Sequence, residues 1–396
     1  FAGTPIIELN GTNAGNSNGM VFYTASNSVV RGFVVNRFVY AGISLGISTN
    51  NCVIAGNYSG TNAAGTAALP NGYHGVSVDG GSNNNVIGGT TAADRNVLSG
   101  NGAGGATVVG GSTGNMIIGN YLGTNAAGTA AIPNFAGVYL YNNSSNTTVG
   151  GTAPGTRNII AGNNVYGVWI ADAPSNTVIG NYIGTRVDGT TALPNSTSGV
   201  RIESANNIIG GSSAAHRNII SGNTGDGIRM IGSGCTGNTV LGNWIGLNSL
   251  GNALGNGQQG MRIDVSANGN TIGGSLVGAR NVISANGGHG ILLDNAPGHI
   301  ILNNHIGSNV AGVGAGAAEA NVAGGITAQN GANNTLIGDG TAAGRNVLGR
   351  STNDAIVLGT GTSGAVVRGN YIGVGSTGCD VQVSLVGIRI TNSSNN

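Results

Sequence analysis

The chain has 396 residues, of which 77 are Gly, 7% are charged and 4% are aromatic, with a formal net charge of +1. So small a net charge excludes a bulk electrostatic field for nucleic acid or for an anionic membrane surface, and no run approaches the 18 or so apolar residues of a membrane span. The hydrophobic fraction of 39% recurs in fixed register, which points to a repeat fold rather than to disorder.

In chain order, residues 1–50 read as about two plain coils (PIIELNG, then SVVRGFVV). Residues 51–84 read as one coil with a long loop. From residue 85 two coil types alternate. Arg-Asn followed by two aliphatic residues begins at Arg95, Arg157, Arg217, Arg280 and Arg345, at intervals of 62, 60, 63 and 65 residues. Between these lie Gly-Asn-Tyr at 119–121, 180–182 and 369–371 and Gly-Asn-Trp at 242–244. The first coil type, residues 85–114, has a short strand (NVIGG), a loop (TTAADR), a second strand (NVLSGN) and a third (GATVVG). The second type, 115–146, nearly fuses its first two strands (NMIIGNYLGTN) and places a longer loop (AAGTAAIPN) before the third (GVYLYNN). Such short strands cannot each bury a face alone. Stacked strand on strand they enclose an apolar interior, and the crossover rule makes the coil right-handed. The predicted fold is all-β: a right-handed, single-stranded parallel β-helix of about 13 coils, three short strands per coil, in a unit of about 62 residues. Residues 1–396 are predicted to form one such solenoid and, because the pattern is cut at both ends, to be part of a longer chain.

One column is predicted to be a structural ladder of stacked amides: Asn57, Asn96, Asn120, Asn158, Asn181, Asn218, Asn243, Asn281, Asn304, Asn346 and Asn370. Two residues further on, an aliphatic column from Leu98 and Leu122 to Leu348 and Ile372 should point into the core. Cys52, Cys235 and Cys379 sit about five coils apart, roughly 24 Å at the spacing of neighbouring strands and beyond disulfide reach, and read as small buried hydrophobes.

The units NTVIGNYIGT, GTTALPN and NIIGG with RNIISGN resemble the parallel β-helix repeats of the pectate-lyase-like superfamily, and more narrowly are similar to Gly/Asn-rich repeats of large bacterial secreted and surface proteins. The resemblance implies the fold, and an extracellular or cell-surface location. It implies no single activity, because the superfamily holds polysaccharide lyases and hydrolases as well as adhesins, tailspikes and stalks.

Three sets of residues are candidates for chemistry. The Arg of every second coil could form a ladder for an anionic polymer, or could tie down the adjacent loop. The column Tyr58, Tyr121, Tyr182, Trp244, His305, Tyr371 could stack on sugars, or pack beneath the long loops with their Leu69-Pro70-Asn71 and Leu193-Pro194-Asn195 segments. The third strand is the least regular. Its second residue after the Gly should point outward and reads Ser77, Thr107, Tyr139, Trp169, Arg201, Arg229, Arg262, Leu292, Thr327, Val357, Arg389. Two residues on lie Asp79, Glu203, Asp264 and Asp294, and just before the strand lie His74, Asp226 and His289.

Three readings compete for this stripe. It is a solvated face with Arg–carboxylate pairs; or a glycan patch in which Tyr139 and Trp169 stack while Arg201, Arg229 and Arg262 take uronate carboxylates; or a catalytic site. In the last, Asp264 and Asp294 would serve as nucleophile and acid, or an Arg or His289 would abstract a proton as base, with Glu203 and Asp226 nearby. Gly288-His289-Gly290 resembles a polygalacturonase motif, but the partner motifs of that family are missing and Arg262-Ile263-Asp264 precedes the His. No calcium cluster of the pectate-lyase kind, no metal set and no cofactor motif is present. The leading expectation is a structural repeat protein (stalk, adhesin or filament subunit) that self-associates end to end and binds polysaccharide, with no nucleic-acid partner and no metal. The alternative is a polysaccharide lyase or glycoside hydrolase using the stripe.

Overall fold

The computed structural model describes residues 4–313, 316–378 and 385–396; Cys379 lies outside them. The fold is a right-handed, single-stranded parallel β-helix of about 13 coils, with three strands per coil, each in its own parallel sheet. Contacts group the chain into two compact units: Phe1–Val187 with Leu193–Val200, and Asp188–Ala192 with Arg201–Asn396.

In the first unit the first strands of successive coils include Val86–Gly88, Met116–Ile118, Thr148–Gly150 and Thr177–Ile179. The second strands include Val97–Leu98, Tyr121–Leu122, Ile159–Ile160 and Tyr182–Ile183, and the third Gly104–Val108, Ala136–Tyr141 and Tyr166–Ala171. Each pairs in parallel with its counterpart one coil on, so identical positions stack. Strand alternation puts one residue of each pair inside. The interior is therefore made of aliphatic columns, with Ile87, Ile117, Val149 and Val178, then Leu98, Leu122, Ile160 and Ile183, then Val138 and Val168, all fully buried. The second unit repeats this with Ile209, Val240, Ile272 and Ile301, and with Ile220, Ile245 and Ile283. Cys52 and Cys235 are buried in this packing, and burial pushes the Cys235 thiol up to about 12.

Polar ladders close the corners. Asn57, Asn96, Asn120, Asn158 and Asn181 are linked, each Nδ2 donating to the next Oδ1, at 3.2, 2.9, 3.2 and 2.9 Å. In the second unit Asn218, Asn243, Asn281, Asn304, Asn346 and Asn370 continue in the same way at 2.9–3.1 Å. Most of these amides also donate to a backbone carbonyl, as Asn120 does to Ile87 at 2.8 Å. A buried amide with every group matched contributes stability and fixes the register.

A second ladder at the next corner, which sequence reading passed over, joins Asn71, Asn101, Asn134, Asn163 and Asn195. Its counterpart in the second unit joins Asn223, Asn256, Asn286 and Asn321. At the third corner Asn207, Asn238 and Asn270 form a run in which the next place is held by His299.

The loop before the recurring Arg winds into one 3₁₀ turn ahead of Arg95, Arg217 and Arg280, at Ala92–Asp94, Ala214–His216 and Val277–Ala279. The longer loops fold back as narrow turns held by Asn side chains: Asn62 Oδ1 accepts from the Thr66 amide at 2.8 Å and Asn125 Oδ1 from the Thr129 amide at 2.9 Å. Among the described residues no helix is long and apolar enough to cross a membrane.

Candidate functional site on the outer face of the third sheet

The third sheet carries the predicted stripe in the predicted register. Ser77 pairs with Thr107, Thr107 with Tyr139, and Tyr139 with Trp169 in the first unit. In the second unit Arg229 pairs with Arg262, Arg262 with Leu292, and Leu292 with Thr327. Outward is not the same as solvated, however. Thr107, Ser77, Leu292 and Thr327 are buried although they face away from the core. Their neighbours on the same face include Tyr139 beside Thr107 and Arg262 beside Leu292.

In the first unit those neighbours are aromatic. Tyr139 lies parallel to Trp169, ring centroids 4.3 Å apart and planes 8° apart, and parallel to Tyr141 at 4.3 Å and 15°. Tyr141 follows Tyr139 by two residues, so alternation puts both on the outer face. Tyr166 and Phe135 lean against Trp169 at 5.3 and 6.1 Å, and Phe135 is 39% exposed. The result is a ridge of rings standing off the sheet, half-exposed along its crest. His74 lies on the same sheet: its Nδ1 accepts from the Gly104 amide at 3.2 Å and is 2.9 Å from Thr107 Oγ1. Burial holds His74 down at about 4 against a smaller opposing effect of Asp79, so the ring is neutral.

In the second unit the face is charged. Asp264 Oδ2 accepts from Arg229 at 2.9 Å and from Arg262 Nε at 2.7 Å, and Asp264 is 2% exposed. Its Oδ1 is buried and has no hydrogen-bond partner. Arg201 is paired with Glu203 on its own chain segment. Asp226 is buried; its Oδ1 accepts from the Gln259 amide at 3.0 Å, while desolvation pushes its carboxyl above the usual range, opposed by that bond and by Arg229 and Arg262. The Gln259 side chain accepts from the His289 amide at 2.7 Å, and His289 Nδ1 lies 3.1 Å from Thr327 Oγ1. Burial holds the His289 ring low, hence neutral. Asp294 pairs in register with Asp264, and its carboxylate accepts from Asn330 at 2.8 Å.

The structure thus brings Arg229, Arg262 and Asp264 into one ion cluster beside Asp226, and sets His289 and Asp294 one coil away. Tyr141, Phe135, Tyr166 and Gln259 complete the two patches and were missed by sequence reading. Tyr141 was recoverable from alternation, and Tyr166 and Gln259 from their place before the third-strand Gly, which they share with His74, Asp226 and His289.

The Arg and aromatic columns meet on the second sheet. Arg95 lies over the Tyr121 ring at 4.3 Å, Arg157 over Tyr182 at 4.1 Å, Arg217 over Trp244 at 4.3 Å and Arg345 over Tyr371 at 4.0 Å. Two of these Arg also bond to backbone carbonyls: Arg157 Nε donates to Gly180 O at 3.1 Å and Arg345 Nε to Gly369 O at 3.2 Å.

No family model matches the chain, and no curated protein matches it. Solved structures do. A mutant of the periplasmic alginate epimerase AlgG is similar at 14% identity and a TM-score of 0.50, covering 93% of this chain and 78% of that one. The Azotobacter vinelandii mannuronan C-5 epimerase AlgE6 A-module is similar at 15% identity and TM-score 0.44, over 98% and 92% of the two chains. The Dettilon tailspike protein is similar at 15% and 0.38, over 88% and 62%. At these identities the likeness is one of fold.

Proposed function

We propose that this protein is a polysaccharide-binding β-helix: a rigid scaffold, outside the cytoplasm or at the cell surface, that offers the outer face of its third sheet to a glycan. The observation that carries this reading is the ridge of Phe135, Tyr139, Tyr141, Tyr166 and Trp169, gathered on an outer face in a chain with only 4% aromatic residues. Half-exposed Tyr and Trp offer apolar area to the C–H faces of sugars and polar ends to their hydroxyls. The test is a binding panel of soluble polysaccharides that includes alginate, the polymer named for the epimerase of similar fold, and a neutral glucan. The Tyr139→Ala/Trp169→Ala double variant should lose at least about tenfold in the part of its affinity that persists at high salt, for whichever polymer binds, as expected when central aromatic anchors are removed. Equal binding by variant and parent, or no binding across the panel, would sink the proposal.

A second reading, polysaccharide cleavage, is favoured by one observation. Asp226 is buried beside Arg229, Arg262 and Asp264, and desolvation pushes its carboxyl above the usual range, the direction that suits a general acid. New chain ends released by the parent and not by Asp226→Asn would establish it; an unchanged polymer length after incubation would remove it.

A further inference from the structure

Among the described residues the second sheet carries Arg side chains that have no carboxylate partner. Six Arg side chains, Arg31, Arg37, Arg201, Arg229, Arg262 and Arg389, have carboxylate partners. Among the described residues Arg95 and Arg157 have none. The nearest acid in sequence, Asp94, is already committed to Arg31 and to Thr91. Between Arg95 and Arg157 lies a cleft of about 210 Å³ lined by Arg95, Tyr121, Gly155, Arg157, Ile159 and Val187. Arg95 Nε is buried there without a hydrogen-bond partner. Stacking on Tyr121 and Tyr182 fixes both guanidinium planes, so that their donors project from the edges in set directions. A fixed fork with no carboxylate partner of its own matches a planar or tetrahedral oxyanion better than a mobile Lys would.

We propose that the cleft between Arg95 and Arg157, floored by Tyr121, is an anion site that takes the carboxylate or sulfate groups of an acidic polysaccharide. It is distinct in residues and sheet from the aromatic ridge. The two Arg rows are two coils apart, roughly 9.6 Å at the spacing of neighbouring strands, so an extended polymer would meet a guanidinium at every second coil. In the second unit Arg217 repeats the arrangement, stacked on Trp244 with a buried, unpartnered Nε. Arg280 departs from it: His305 replaces the aromatic ring of its neighbour, and the fork of Arg280 is taken by Asn303 Oδ1 at 3.1 and 2.9 Å. The site is therefore expected at Arg95–Arg157 and at Arg217, and weakened at Arg280.

The test is calorimetric titration of the whole protein with alginate, dextran sulfate and neutral dextran at two salt concentrations. Binding of either acidic polymer, weakened by salt and absent with neutral dextran, is expected; which polymer binds identifies the anion. Arg157→Gln should weaken it by about tenfold, the worth of one charge-assisted contact, and Arg95→Gln/Arg157→Gln by more. Tyr139→Ala/Trp169→Ala should leave the salt-sensitive part unchanged, which separates this site from the ridge. Arg157 is exposed, so the single variant decides the matter if the double variant fails to fold. Parent-like binding by Arg157→Gln, or no salt-sensitive binding of either polyanion, would overturn the proposal.

Discussion

At the scale of single residues, the ladders explain both stability and its pH dependence. Asn158 donates to Ile117 O at 2.7 Å and to Asn181 at 2.9 Å, and accepts from Asn120. Asn158→Ala leaves buried donors and acceptors unmatched and should cost about 3 kcal/mol in urea unfolding; a loss below about 0.5 kcal/mol would mean the ladder adds little. His299 occupies a ladder position: its Nδ1 accepts from the Asn270 amide at 3.2 Å and its Nε2–H faces Ala267 O at 3.2 Å. That geometry needs the neutral ring, and burial holds it down at about 4 from 6.5. The unfolded chain then binds the extra proton first as pH falls. Stability attributable to His299 is complete above pH 6.5 and is lost between 6.5 and about 4, on the order of 3 kcal/mol. His74 acts in the same sense and Asp226 in the opposite one. His299→Asn should leave the melting temperature at pH 7 nearly unchanged and shrink its fall toward pH 4.5. An equal fall in variant and parent would contradict this.

At the scale of the element, the sequence made the strands, their order and their register legible, because a strict period leaves few alternatives. Val97, Tyr121 and Ile159 pair as spaced, as do Thr107, Tyr139 and Trp169. Less legible was how side chains fill the outer faces. Alternation tells which way Leu292 and Thr327 point but not that neighbours bury them, since that depends on side-chain heights one coil away. Likewise the Arg-to-ring stacking needs rotamers that spacing does not encode. The corners impose their own demand. Gly150 has φ +87°, and a Cβ there would lie 1.9 Å from Ile179 O, whereas Gly111, at φ +70°, has open space around it. Gly111→Ala should cost about 1 kcal/mol for the left-handed backbone alone. Gly150→Ala should cost several kcal/mol more or prevent folding. Similar thermal shifts for the two would refute the close stacking of corners.

At the scale of the whole molecule, regularity accounts for the fold, and departures from it mark the surface. The candidate residues Glu203, Asp226, Arg229, Arg262, Asp264, His289 and Asp294 share a face in the second unit, where they bond mainly to one another and to their coil neighbours. The ridge around Tyr139 and Trp169 is the irregularity that offers a surface to a ligand. Glycan binding at the ridge can be read at Trp169 itself. The chain has two Trp, so Trp244→Phe leaves Trp169 as its single indole. Titrating that variant with the polysaccharide identified by the binding panel should change Trp169 emission saturably, with a midpoint equal to that of binding. Binding that leaves Trp169 emission unchanged would contradict the account.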